Sequence, residues 1–425
     1  YYGNDGATGA NPTSGNGGSS GYTSSITGTN YIYSSGGIGM QNTVNHSTTN
    51  QHGVNFGDGG GGGGWLGTTY SGNGANGIVI IKKYLSPSLP DIYPQLILYG
   101  HKDSSNLSSI SQANQNPIYI FYYEGVSEYQ GKSTYNVIFP HDIKCDFLIV
   151  SGGGGGGMDM GGGGGGGGVI IGTDYTFKRG TYTIEVGNGG MGAPKAGSGS
   201  YPEFQGLSAH RYRYRALKGV NSSIYNSEVN FVTQGGGYGS SSRADYPPDG
   251  GIAGSGGCGG GVSGYNTSLY TRPGEAIYGD DFNNQITGGQ KTLEPGVIVY
   301  GWSGATSTSD HRSGGGGGAG SIGIGSNSLA HGGNGIQSDI IGTNYYWSGG
   351  GGGSGYSING GNGGLGGGGG AAVGTTTGGT GGINDGLPGG GGTTSSQTNT
   401  PGGNGGKHTG GGGGGGSHYT SNNNG

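Results

Sequence analysis

Cys145-Asp146-Phe147-Leu148-Ile149-Val150-Ser151 runs without a break into six glycines, 152–157; Met158-Asp159-Met160 leads into eight more, 161–168, and Val169-Ile170-Ile171 follows at once. The two apolar ends have the length and β-branched content of strands. Glycine held between two strands is not placed as a linker would be, so the runs are expected to belong to the fold. In an extended three-residue helix, eight residues span about 25 Å at ~3.1 Å each, the length of a strand in a compact domain. With no Cβ in the way, such backbones approach closely, each N–H reaching a carbonyl of a neighbour and Cα–H groups adding weak contacts. The stretch predicts an interior built from main chain, with Asn, Ser and Tyr at helix ends or on the outside.

Working outward, further uninterrupted runs stand at 59–64, 314–318, 349–353, 366–370 and 410–416. None shows a Gly-X-Y period, which sets collagen aside. Strand signals stand at 117–123, 133–139, 145–150, 169–171 and 181–186; in the last, Tyr182, Ile184 and Val186 fall on one face and Thr181, Thr183 and Glu185 on the other. No window carries helical apolar periodicity. The fold class expected is all-β: a jelly-roll-like β-sandwich with an inserted bundle of polyglycine-II helices and negligible α-helix.

Composition agrees. Of 425 residues 119 are Gly, and only 9% are charged, so a conventional side-chain core must be small for this length. The 30 Tyr supply rings that can be half-buried, which a solvated linker has little use for. A net charge of −5 offers no field for a phosphate backbone, so nucleic acid is not an expected partner. No apolar run approaches the ~18 residues that span a bilayer, and membrane insertion is not expected. Cys145 and Cys258 form neither a disulfide framework nor a metal pair, and read as two small thiols.

Landmarks recur along the chain. Gly28-Thr29-Asn30-Tyr31-Ile32-Tyr33-Ser34 returns as Gly342-Thr343-Asn344-Tyr345-Tyr346-Trp347-Ser348, and the run 59–64 with its Thr/Tyr/Ser/Asn/Gly tail parallels 410–416 and the tail after it. Residues 1–84 therefore read as the C-terminal part of a first glycine-rich unit. Residues 85–116, with Pro87, Pro90 and Pro94, read as an extended connector that holds a candidate first strand. Residues 117–425 read as a second unit lacking a counterpart of the closing strand at 77–84, so that either the chain continues or a neighbour supplies it.

The string Thr134 to Pro140, then Cys145 to Gly157, Gly161 to Ile171 and Tyr182 to Gly190, resembles the glycine-rich domain of proteins from giant algal viruses and of phage tail-fibre adhesins; Gly74 to Tyr84 resembles its closing strand. A similar pattern occurs in the glycine-rich ectodomain of the anaplastic lymphoma kinase receptor. The resemblance implies a jelly-roll-like β unit carrying polyglycine-II helices, and a virion-surface or extracellular location.

No catalytic, cofactor or metal site is expected. Gly125 to Ser133 misses P-loop spacing by one residue and reads as a turn entering a strand. Gly17 to Gly21 has the letters of a nucleophile elbow without its strand and helix. His101, His210 and His311 show no ligand spacing, and Gly332 to Gln337 lacks the Asp of a calcium β-roll. Two features remain. Arg211, Tyr212, Arg213, Tyr214 and Arg215 form the candidate contact for an acidic glycan, a phosphate or a neighbouring subunit; the bland alternative is a charged edge strand that discourages stray pairing. Asn45, Asn106, Asn221 and Asn266 stand in glycosylation sequons, which chance also produces in an Asn- and Ser-rich chain. The function expected is a non-enzymatic structural component of a virion surface, fibre or extracellular filament, partnered by copies of itself or other particle or filament proteins. The alternative is an adhesin whose loops bind a host-surface glycan or receptor.

Overall fold

The computed structural model describes residues 118–124, 131–193, 215–241, 252–264, 272–279, 284–307, 312–325, 330–342, 344–355, 359–372, 379–382 and 402–416, together with the backbones of four earlier strands. The fold is all-β. Among the described residues the helical content is a single 3-10 turn at Thr287–Gly289. The strands are β1 Tyr22–Ser24, β2 Tyr31–Tyr33, β3 Ile78–Lys83, β4 Ile97–Gly100, β5 Ile118–Tyr122, β6 Lys132–Phe139, β7 Ile143–Val150, β8 Val169–Phe177, β9 Gly180–Gly187, β10 Ser222–Tyr225, β11 Asn230–Thr233, β12 Gln290–Glu294, β13 Val297–Tyr300, β14 Ile336–Ser338 and β15 Tyr345–Trp347.

Two antiparallel sheets carry most of them. One has the order β11-β10-β9-β6-β4 and the other β12-β13-β8-β7-β3-β5, while β1-β2 and β14-β15 are separate hairpins. Chain order alternates between the two sheets from β3 to β7, so each sheet is completed by strands distant in sequence.

The apolar run at 145–150 does not alternate because β7 is covered on both faces, as continuous apolar strands usually are. Cys145, Phe147 and Ile149 join Ile170, Phe177, Val297 and Val299 of their own sheet. They meet Val137, Phe139, Tyr182, Ile184, Ile224 and Phe231 of the other sheet in one shared core. Leu148 and Val150 point the opposite way, with Val169, into a second cluster that includes Ile340 and Trp347 and is packed against by Ile336 and Tyr345 of the β14-β15 hairpin. In β9 the expected alternation holds, with Tyr182, Ile184 and Val186 fully buried.

Aromatic rings order the shared core. Phe147 stacks on Phe231 with centroids 5.3 Å apart and meets Phe177 at 5.2 Å. Its ring lies over Gly172, its ladder partner on β8, where an added Cβ would come within 2.0 Å of the ring. Cys145 and Cys258 are free, buried, and in different clusters. Burial pushes both thiols up to about 12, so neither is a ready nucleophile at neutral pH.

The recurring landmarks have matching structures. In β1-β2 Tyr22 pairs with Tyr33, and in β14-β15 Ile336 pairs with Trp347; Tyr22 to Ile336 and Tyr33 to Trp347 are the same step of 314 residues. The two strand pairs thus share the same spacing and register. β3 lies inside the six-stranded sheet, antiparallel to β7 from Ile78↔Val150 to Lys83↔Cys145 and to β5 from Ile78↔Tyr122 to Lys82↔Ile118. Residues 78–83 thus pair inside the sheet that otherwise comes from residues 118–300.

Phe147→Ala removes the ring shared by both sheets and leaves a cavity over Gly172. A loss of about 3–5 kcal/mol is expected, read as a lowered midpoint in chemical denaturation; an unchanged midpoint would show that Phe147 does not organise the core.

Candidate functional site: the glycine bundle and its edge

Several of the glycine segments leave a strand or return to one. Val150 of β7 continues into 151–157, the turn 158–160 reverses the chain, and 161–168 returns to Val169 of β8. The reversal is sharp, with Asp159 and Met160 both at a positive φ of 57°. Segments 187–193, 215–220 and 234–241 follow or precede β9, β10 and β11 in the same way.

The hydrogen bonds of 161–168 repeat every three residues. Gly162, Gly165 and Gly168 donate to Ser240, Gly237 and Gln234; Gly163 and Gly166 donate to Gly314 and Gly317; Gly164 and Gly167 donate to Gly413 and Gly410. The carbonyls accept with the same period. Gly162, Gly165 and Gly168 are bonded by Gly157, Gly154 and Ser151, Gly163 and Gly166 by Gly261 and Cys258, and Gly164 by Gly351. The Gly167 carbonyl is met by the Ser348 hydroxyl. The segment is therefore surrounded by six others: 234–241, 312–318 and 410–416 on the acceptor side, and 151–157, 258–264 and 348–355 on the donor side. A three-residue turn with neighbours on all sides is the geometry of packed extended glycine helices. It satisfies every main-chain group of 162–168, which burial makes obligatory.

Side chains are excluded by distance. A Cβ on Gly163 would lie 2.0 Å from the Gly351 carbonyl oxygen, and one on Gly164 would lie 2.2 Å from that of Gly154. Neither obstacle can rotate away, since both are backbone. At the junction with the sheets, buried Ser151 donates to the Thr233 carbonyl at 2.6 Å and accepts from the Ser222 amide at 2.7 Å, tying 151–157 to β10 and β11.

At the outside of the bundle, side chains take the place of missing neighbours. The Asn221 carboxamide oxygen accepts from Gly235 N–H at 2.9 Å, that of Asn334 from Leu365 N–H at 3.2 Å, and that of Asn362 from Thr380 N–H at 2.9 Å. His331 Nδ1 accepts from Asn362 N–H at 2.8 Å, which requires a neutral ring. Burial lowers the His331 pKa below its ordinary 6.5. Its contribution is complete above the unfolded value and fades as pH falls from there towards the depressed folded value. The Asn positions lie at the edge, as expected of residues that interrupt the glycine, with Gly-Gly-Asn-Gly at 332–335 and 360–363 marking two of them, whereas the acceptor role of His331 was not read from the sequence.

Of the candidate contact cluster, Arg211, Tyr212, Arg213 and Tyr214 lie outside the described residues. Arg215 begins the extended segment 215–220, with its guanidinium 4.1 Å from the centre of the Tyr238 ring and donating to the Tyr238 hydroxyl. Asn45, Asn106 and Asn266 also lie outside, while Asn221 is the cap described above. The P-loop-like lysine, Lys132, stands in β6 and pairs with Glu185 across the ladder at 2.6 Å. Among the described residues no group of His, Cys, Asp and Glu could hold a metal ion. Ile252, Ile322 and Ile324 are the large exposed apolar side chains of the described surface.

No protein-family model, curated protein or solved structure matches the chain.

Gly164→Ala places a methyl group against the Gly154 carbonyl and must spread the bundle. A loss of about 3 kcal/mol or more is expected, against less than ~0.5 kcal/mol for Thr306→Ala at an exposed position. Equal midpoints for the two variants in denaturant would rule out close packing at 164.

Proposed function

We propose that the chain is a structural component of a virion surface, a fibre or an extracellular filament, assembled from tandem glycine-rich β units, and that it is not an enzyme. The observation that carries this reading is the lattice around 161–168. Its interior is hydrogen-bonded backbone, so the sequence is spent on rigidity rather than on a constellation of reactive side chains. Extended backbones bonded on all sides resist bending and offer a protease few accessible peptide groups, which suits an exposed particle or filament.

The duplicated hairpin supports the tandem part of the reading, because two copies in identical register are what a repeated unit provides. Partners are then further copies of the chain or other proteins of the same particle. The negative charge argues against nucleic acid, and among the described residues no helix is long and apolar enough to cross a membrane.

Electron microscopy of the purified chain in native buffer, over a range of concentrations, tests the proposal. Filaments or particles with a regular repeat are expected. Single discrete molecules at every concentration would overturn it, and saturable binding of those molecules to a glycan array would favour the adhesin instead.

A further inference from the structure

Four extended segments stand in a row at the edge of the bundle, in the order 320–325, 331–335, 360–365 and 379–382. One clamp recurs along the last three. A side chain accepts the N–H of a residue in the next segment, and the amide that follows that side chain donates to the same residue's carbonyl. His331 Nδ1 and Gly332 N–H hold Asn362 in this way, both at 2.8 Å. Asn334 Oδ1 and Gly335 N–H hold Leu365 at 3.2 and 2.7 Å, and Asn362 Oδ1 and Gly363 N–H hold Thr380 at 2.9 and 2.8 Å. His331, Asn334 and Asn362 are each followed by glycine, and so is Thr380.

The row therefore ends on a clamp that holds nothing. Gly379 and Gly382 donate to Ala371 and Gly368, and Thr380 to Asn362, so the three-residue turn leaves the Gly381 amide facing the remaining direction. Thr380 is exposed, and its hydroxyl is an acceptor of the kind that Ser321 presents to Asn334 N–H at 2.7 Å. Among the described residues neither that hydroxyl nor the Gly381 amide has a hydrogen-bond partner. The other end of the row offers the complement. Ser321 and Ile324 donate to Asn334 and His331, and Gly323 to Ser303, which leaves Ile322 facing the third way. Among the described residues its N–H and C=O have no partner, and its side chain, 51% exposed, is the most exposed of the large apolar ones.

We infer that Thr380 and Gly381 of one copy clamp Ile322 of a second copy, joining the two rows edge to edge. The Gly381 amide donates to the Ile322 carbonyl and the Thr380 hydroxyl accepts the Ile322 N–H, which repeats the pairing made within the row. A second copy is the fitting occupant because the two ends of one row carry the two halves of one contact. Segments 331–335 and 360–365 stand between those ends, so the halves do not meet within a chain. The surfaces that meet are different, which makes the contact heterologous and able to add further copies. The inference rests on the assembly reading above and supplies one contact for it.

Two full-length variants test it, each disabling one half. Thr380→Val removes the acceptor, and Ile322→Pro removes the donor in an extended segment whose φ suits proline. Both positions are exposed, and a denaturation midpoint near that of the wild-type chain confirms folding; should Ile322→Pro fail to fold, Thr380→Val decides alone. In sedimentation velocity the wild-type chain is expected to associate as its concentration rises, and each variant to need about tenfold more protein for the same association. An equal mixture of the two variants should regain wild-type affinity for a pair but form nothing larger, since it holds one intact clamp and one intact Ile322. Association of the folded variants at the wild-type concentration, or a wild-type chain that stays monomeric, would overturn the contact. Filaments of regular repeat formed equally by Thr380→Val would leave the structural function standing and remove only this contact.

Discussion

Each residue of 162–168 turns its amide towards a different neighbour from the residue before it, and returns to the first neighbour after three. That condition fixes much else. Backbones must lie close enough for direct hydrogen bonds in every direction, which leaves no volume for a Cβ at Gly163 or Gly164. The net gain from one such bond is modest, roughly 0.5–1.5 kcal/mol, but a buried group left unpaired costs about 1–3 kcal/mol. The lattice is therefore cooperative: removing one segment strands the main-chain groups of its neighbours. Glycine's large entropy loss on ordering is offset only when most neighbours are in place together.

The sheets make that simultaneity possible. Extended glycine segments carry no side-chain pattern to choose partners or register, so both must be imposed at their ends. β7 and β8 deliver 151–157 and 161–168 as an antiparallel pair, and Ser151 locks the entry against β10 and β11. The aromatic core between the sheets, with Phe147 at its centre, thus acts on the bundle indirectly, by fixing where each segment begins. The edge is finished by Asn221, Asn334, Asn362 and His331, each supplying an acceptor where the next backbone would otherwise have stood.

Much of this was legible in the sequence where side chains carry the information. The strands at 145–150 and 181–186 appear at the expected places as β7 and β9, the first extended to Ile143 and the second by one residue at each end. The uninterrupted 145–150 reflects burial on both faces, and the alternation of β9 reflects a single buried face. The apolar stretch at 297–300 is β13, although its letters are as strand-like as those of β8; glycine-rich surroundings masked it. Of the two short hairpin strands, β15 was visible only as part of a repeat and β14 not at all, because three residues carry too little periodicity. What sequence did not disclose was which segments neighbour which. Glycine at 164 looks the same as glycine at 163, yet they bond to 413 and 314, and that choice comes from strand order far away in the chain.

The central claim is that 161–168 forms the interior of the protein. Amide hydrogen exchange of the native chain, resolved to these residues, tests it directly. Protection is expected at all of Gly162 to Gly168, with opening only on global unfolding, because each amide has a buried carbonyl partner. Exchange at the rate of a free glycine peptide would contradict the lattice and return the run to a solvated linker.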